Sequence, residues 1–406
     1  MSDAVIVAMA RSPIGRAFKG SLKDMRADDL LGQMLAAAFA QAPALDPASL
    51  DDLVVGCAQP AGEQGYNIAR QAAVGAGLDE VPGTVVQRYC ASSVQATRMA
   101  LHAIRSGEGH AFVAAGVECV SRFGRGKADG MDGTRNPRYA DASARTEARS
   151  GAGAPPWTDP RGNGELPDPY IAMGQTAENV AVLRGVSRER QDEFAVRSQN
   201  LAEKAIADGF FDTDITPVTL PDGTVVARDD CPRAGVTIES VSALTPVFRP
   251  DGTVTAANCC PLNDGAAALV VVSAERARDL GLAPLARIVS TGVSALSPEI
   301  MGLGPTEAMT RALGHAALRA SDLDLVEINE AFAAQVLPVC DDLGLDLDAV
   351  NPHGGAIALG HPFGMTGARM ITTLVNGLRR RDGEFGAVTM CAAGGQGMAL
   401  ILQRMS

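Results

Sequence analysis

The sequence predicts an α/β protein made of two similar halves, with a loop-rich domain inserted in the first. Three observations lead there. Strand-like and helix-like stretches alternate along most of the chain, the pattern of a sheet flanked by helices. The same order of stretches occurs twice, with matching spacing. Between the two runs, residues 121–245 change character and become rich in Gly, Pro, Asp and Arg.

The first half opens with DAVIVAMARSPIG, an apolar run of strand length closed by a turn. LLGQMLAAAFAQA follows as an Ala/Leu-rich helix, then an acidic linker and the short strand DDLVVGCAQP. QRYCASSVQATRMALHAIRSG reads as a turn entering a helix whose apolar side is Val94, Met99, Leu101 and Ile104. HAFVAAGVE is again a strand. The second half repeats the plan. APLARIVSTGVSA is a strand, EAMTRALGHAALRA a helix, and SDLDLVEINEAFA an acidic linker with a strand. GHPFGMTGARMITTLVNGLRR is the turn and helix, and FGAVTMCAAGG the closing strand.

The inserted segment holds the only Trp and one amphipathic helix, SRERQDEFAVRSQNLAEKAIADG, with a Gly stop. Excursions of this length carry substrate contacts or contacts between copies. The expected boundaries are therefore 1–275 for the first half, with 121–245 inserted, and 276–406 for the second.

Composition narrows the function. Apolar residues at 46% suffice for a large core, and charged residues at 20% argue against disorder. A net charge of −12 argues against nucleic-acid or anionic-membrane partners. No apolar run is long enough to span a membrane, and the N-terminus lacks the cationic lead of a secretory signal. The expectation is a cytoplasmic protein. Its eight cysteines form no C-x-x-C pair and read as reduced thiols.

Two of the five histidines, His353 and His361, lie in NPHGGAIALGHPFGMTGARM. Their eight-residue spacing and the lack of acids or Cys nearby argue against a metal site. No G-x-x-x-x-G-K or G-x-G-x-x-G phosphate loop is present. Cys90 falls where a strand-like run enters a helix. A thiol at the first turn would meet unpaired N–H groups and the positive end of the dipole, both favouring thiolate. Cys391 lies in MCAAGGQG, where glycines permit close backbone approach. Asn329, after an apolar strand in EINEAFAAQ, reads by itself as a helix cap.

In combination, QRYCASSVQAT, INEAFAAQ, GGAIALGHPFGMTGAR and MCAAGGQGMA resemble the thiolase family of CoA-dependent acyltransferases, over essentially the whole chain. The resemblance implies duplicated α/β halves in a layered α-β-α-β-α core. It implies thiolytic cleavage of 3-ketoacyl-CoA, as in fatty acid β-oxidation, or the reverse condensation of two acetyl-CoA. Cys90 becomes the nucleophile, His361 its base and Cys391 the acid/base on the acetyl carbon. The enolate oxygen meets His361 and a water held by Asn329. A second oxyanion site uses the backbone N–H groups of Cys90 and Ala393. Arg233 and Ser240 match positions beside the adenine and pantetheine of CoA. Met173, Phe248, Ala256, Ala331 and Phe332 match the pocket wall. His353 stands where Asn is usual and is read either as part of a second polar layer around the site or as a structural residue.

Coenzyme A and acyl-CoA enter as substrates, with no permanently bound cofactor. A homodimer or homotetramer is expected, and a β-oxidation hydratase/dehydrogenase subunit is a candidate partner. Four departures stand out: Gln87 for Asn, Cys260 for a Ser that bonds pantetheine, Ala393 for Gly, and Ala172 for a His of acetoacetyl-specific members. The last leans towards a degradative enzyme of broader chain length. A decarboxylating ketosynthase would lack Cys391, and a non-catalytic binding subunit would have lost part of the Cys90, His361 and Cys391 set.

Overall fold

The computed structural model describes residues 2–125 and 132–406. In the first half the strands are β1 (Ala4–Arg11), β2 (Gly15–Arg16), β3 (Asp52–Gly56), β4 (Gly83–Val86) and β5 (Ala111–Cys119). The inserted segment adds a small hairpin, β6 (Val218–Thr219) and β7 (Val225–Val226), before β8 (Asn263–Ser273) returns to the main sheet. The second half supplies β9 (Ala286–Ala295), β10 (Leu325–Ile328), β11 (Phe385–Ala392) and β12 (Gln396–Arg404).

The main sheet runs β10-β11-β12-β9-β1-β8-β5-β3-β4. Its midpoint is thin: β1 and β9 share only the pairs Val5–Arg287 and Ile6–Ala286. On either side the pattern is the same. β1, β8 and β5 pair antiparallel, then β5 and β3 parallel. Likewise β9, β12 and β11 pair antiparallel, then β11 and β10 parallel. A single parallel bridge from Val350 to Val326 takes the place beside β10 that β4 takes beside β3. The twofold plan read from the sequence is thus a repeat of strand order and direction.

Helices fill three layers around the sheet halves. The Ser92–Ser106 and Phe363–Arg381 helices pack on each other and against strands of both halves, forming the middle layer. Ala27–Gln41 covers β1, β5 and β8 from outside, and Gly304–Ala316 covers β9, β11 and β12. Strands covered on both faces read as unbroken apolar runs, and β5 and β8 are buried along their whole length. The middle helices approach the strands closely because small residues line the contact. A Cβ on Gly116 of β5 would stand 2.2 Å from the Gly364 carbonyl oxygen.

Of the expected apolar side of the Cys90 helix, Val94, Leu101 and Ile104 are buried, each worth roughly 1.5–3 kcal/mol. Met99 is instead 37% exposed. The helix of the inserted segment spans Arg188–Ala207, capped by the Ser187 side chain on the Arg190 N–H.

Candidate active site

The turn after β4 fixes Cys90. Tyr89 takes a left-handed conformation, φ 47°. The Arg88 N–H donates to Ser92 Oγ at 2.9 Å, and that hydroxyl donates to the Tyr89 carbonyl at 2.6 Å. The helix begins at Ser92, so Cys90 sits two residues before it rather than in its first turn. Burial pushes the Cys90 thiol up to about 12, with a further rise from the Glu118 carboxylate. The backbone N–H groups of Cys90 and Ala393 face the sulfur and act the other way. The pull towards thiolate read from a helix end is weakened because Cys90 precedes the helix, and burial acts against it.

His361 is held at three points. Its backbone N–H donates to Asn263 Oδ1 at 2.8 Å, its Nδ1 lies 2.7 Å from Thr366 Oγ1, and its Nε2 lies 3.3 Å from Asn329 Nδ2. Gly360 supplies the bend, with φ 108°, a conformation that other residues rarely adopt. Burial, with a contribution from Arg369, pushes the imidazole down to about 3, so it is neutral at rest.

Asn329 is no helix cap. The next helix starts at Ala333, and the Asn329 N–H donates to the Thr389 carbonyl of β11 at 3.0 Å. Its Oδ1 is buried with no partner among the described residues, a lone pair open to a further donor. Cys391 lies on β11 opposite Gly397 and is fully buried. Burial and the neighbouring Cys90 push its thiol well up. Arg88 donates to Gln396 Oε1 at 2.7 Å, and Gln396 Nε2 donates to the Ala393 carbonyl at 3.2 Å. This chain of bonds ties the Cys90 turn of one half to the Cys391 loop of the other.

The pocket-wall residues also come together. Ala331 and Phe332 pack with Cys391, Met173 and Phe248, and the Phe248 and Phe332 rings meet edge-on at 6.2 Å. Val254 and Met301 complete this wall and were not singled out from sequence. Cys260 donates its backbone N–H to the Ala331 carbonyl, and its thiol neighbours Cys259, Cys90 and Cys391. Ala256, Arg233 and Ser240 are exposed. The Arg233 N–H bonds Gln199, and Ser240 closes a capping box with Thr237.

His353 does not join this centre. It stacks on Phe210 at 3.7 Å and lies against Gly377, near the end of the Phe363–Arg381 helix remote from His361. Sequence reasoning missed Thr366 and Asn263. Thr366 lies on the first turn of the helix after GHP, and Asn263 arrives from 98 positions away.

The thiolase N-terminal domain model matches residues 4–275, and the thiolase C-terminal domain model matches residues 282–404. The chain belongs to the thiolase family. It is 42% identical to the β-ketoadipyl-CoA thiolase of Acinetobacter baylyi, with 100% of both chains covered. It is 40% identical to the 3-ketoacyl-CoA thiolase of Bacillus subtilis, covering 99% of this chain and 100% of the relative. Among solved structures, the acetyl-CoA acetyltransferase of Bacillus anthracis matches with a TM-score of 0.86 and 38% identity, over 100% of this chain and 99% of that one. This thiolase is accordingly an acyltransferase, and CoA thioesters are the substrates of its family.

Proposed function

We propose that this thiolase cleaves 3-ketoacyl-CoA with coenzyme A, giving acetyl-CoA and a shortened acyl-CoA through an acyl-Cys90 intermediate. The observation that carries the reading is a buried, neutral His361 pinned by Asn329 and Thr366, in a fold that also brings the thiols of Cys90 and Cys391 next to each other.

The steps follow from these groups. Cys90 passes its proton to His361 Nε2, and the sulfur attacks the ketone carbon of the substrate. The bond between that carbon and the next breaks, and its electron pair becomes the enolate of acetyl-CoA. The enolate oxygen is met by His361 Nε2–H and by a water on the free Oδ1 of Asn329, while Cys391 protonates the carbon. The second acyl transfer reverses the roles. The thiol of incoming CoA gives its proton to Cys391 and attacks the Cys90 thioester, whose oxyanion meets the Cys90 and Ala393 N–H groups. The Cys90 thiolate leaves and takes its proton back from His361.

Arg233 and Ser240, exposed on the inserted segment, suit the solvent-facing nucleotide end of CoA, and the Met173, Phe248 and Phe332 wall suits an apolar acyl chain. In this reading no cofactor is resident and the protein works as a homodimer or homotetramer in the cytoplasm. Among the described residues no helix is long and apolar enough to cross a membrane. The same groups run condensation of two acetyl-CoA in reverse. Steady-state thiolysis across 3-ketoacyl-CoA chain lengths, a dicarboxylic 3-ketoadipyl substrate included, tests the reading with the condensation assay alongside. Absence of thiolysis on every substrate would overturn it.

A further inference from the structure

His361 has two different tasks in the reaction above, and this inference rests on that reading. It first accepts the Cys90 proton on Nε2, which leaves hydrogen on both ring nitrogens. It later presents Nε2–H to an enolate oxygen. In both tasks the other nitrogen, Nδ1, faces one partner, the Thr366 hydroxyl 2.7 Å away. His361 is 1% exposed and Thr366 0%, so solvent cannot stand in for that partner.

The chemistry of that partner matters. A hydroxyl oxygen can accept from Nδ1–H at every stage. In the neutral ring that takes the Cys90 proton, Nε2 holds the lone pair and Nδ1–H donates to Oγ1. In the charged ring Nδ1–H still donates to Oγ1, while Nε2–H meets the enolate oxygen. We propose that Thr366 is a positioning residue that keeps the hydrogen of the neutral His361 ring on Nδ1 and supports the charge that follows, in a sealed site. The main chain contributes the other half of the device. Asn263 fixes the His361 N–H, and Thr366 sits on the first turn of the following helix, so ring and hydroxyl keep their distance.

The test follows Cys90 acetylation by acetyl-CoA in single turnovers, read as acetyl mass on the Cys90 peptide. Thr366→Val keeps the shape and removes the hydroxyl. Its maximal acetylation rate should fall about ten- to a hundredfold, the loss expected for a hydrogen bond to a charged group. The acetyl-CoA concentration at half-maximal rate should change less than about threefold, since binding contacts remain. Thr366→Ser should restore the rate to within about threefold. Should the Val variant not fold, Thr366→Ala against Thr366→Ser carries the same comparison. A Val variant as fast as the parent, or a Ser variant as slow as the Val one, overturns the proposal. If acetyl-CoA labels no variant, parent included, the CoA reading fails. Cys90 alkylation by iodoacetamide then decides on Thr366, with the same ordering expected and equal rates refuting it.

Discussion

Asn263 accepts the backbone N–H of His361 at 2.8 Å, reaching from the last strand of the first half to the reactive turn of the second. Its Nδ2 donates to the Gly15 carbonyl at 2.9 Å and to Cys231 Sγ at 3.1 Å, so one side chain ties three segments together. Gly360 leaves no room for anything larger, since a Cβ there would lie 2.7 Å from Asn263 side-chain atoms. Asn263→Ala should leave the His361 N–H buried and unpaired, at a cost of about 1–3 kcal/mol. Urea unfolding should show that loss, and turnover should fall with it. Gly360→Ala should do the same through strain and collision. Unchanged stability and turnover in both variants would remove the anchor.

The candidate reactive groups could be named from the sequence because Cys, His and Asn are few and their short motifs are local. The supporting contacts were less so. Thr366 belongs to a common residue type, and nothing along the chain distinguishes a hydroxyl that meets an imidazole from one that faces its own helix. Asn263 meets His361 only after the two halves pack. His353 has the same chemistry as His361 and lies eight residues away, but the chain turns between them, and His353 ends on Phe210. The helix-end reading of Cys90 was modified for a related reason. A helix end is a local feature of sequence, whereas the burial that opposes it comes from packing. Asn329 was ambiguous until β10 and the following helix were located, since a cap and a site residue look alike in the sequence.

Cys90 should carry the acyl group. Incubation with acetyl-CoA followed by digestion should place an acetyl mass on the Cys90 peptide. Cys391, fully buried, should stay unlabelled. Cys90→Ala should lower turnover by several powers of ten, as loss of a covalent nucleophile does. A label on Cys260 or Cys391 alone would move the nucleophile.

The two ends of the sheet differ in a way that predicts assembly. β10 is buried and its outer side is occupied by Ala349–Asn351, which exchange backbone hydrogen bonds with Val326. β4 has no strand beyond it among the described residues, and its four residues are only half-buried. An open edge invites a second strand, and a second copy of the chain supplies one about a twofold axis. Light scattering should therefore report a dimer or larger, and Val85→Pro, which disturbs that edge, should shift it towards 41.9 kDa. A parent protein that is monomeric at micromolar concentration and fully active would refute this.

Cys90 and Cys391 should separate when tested step by step. Acyl transfer to Cys90 breaks no C–H bond and releases CoA as a thiolate, a good leaving group, so it depends on His361 as base far more than on Cys391, which only protonates that thiolate. Proton movement on the acetyl carbon needs Cys391, whose thiol, pushed up by burial, keeps its proton until the enolate forms. Cys391→Ala should therefore still accept an acetyl group from acetyl-CoA on Cys90. It should fail at thiolysis and condensation, and at exchange of the acetyl methyl protons with deuterated water. His361→Ala should slow both acetylation and exchange, because one ring serves as base to Cys90 and as donor to the enolate oxygen. Acetyl labelling and deuterium uptake, measured on both variants, give four rates. Normal deuterium uptake in Cys391→Ala would remove that thiol from proton transfer. Cys260, the other thiol beside Cys90, would then be the group to test, since His353 lies against Phe210, away from the reacting carbon.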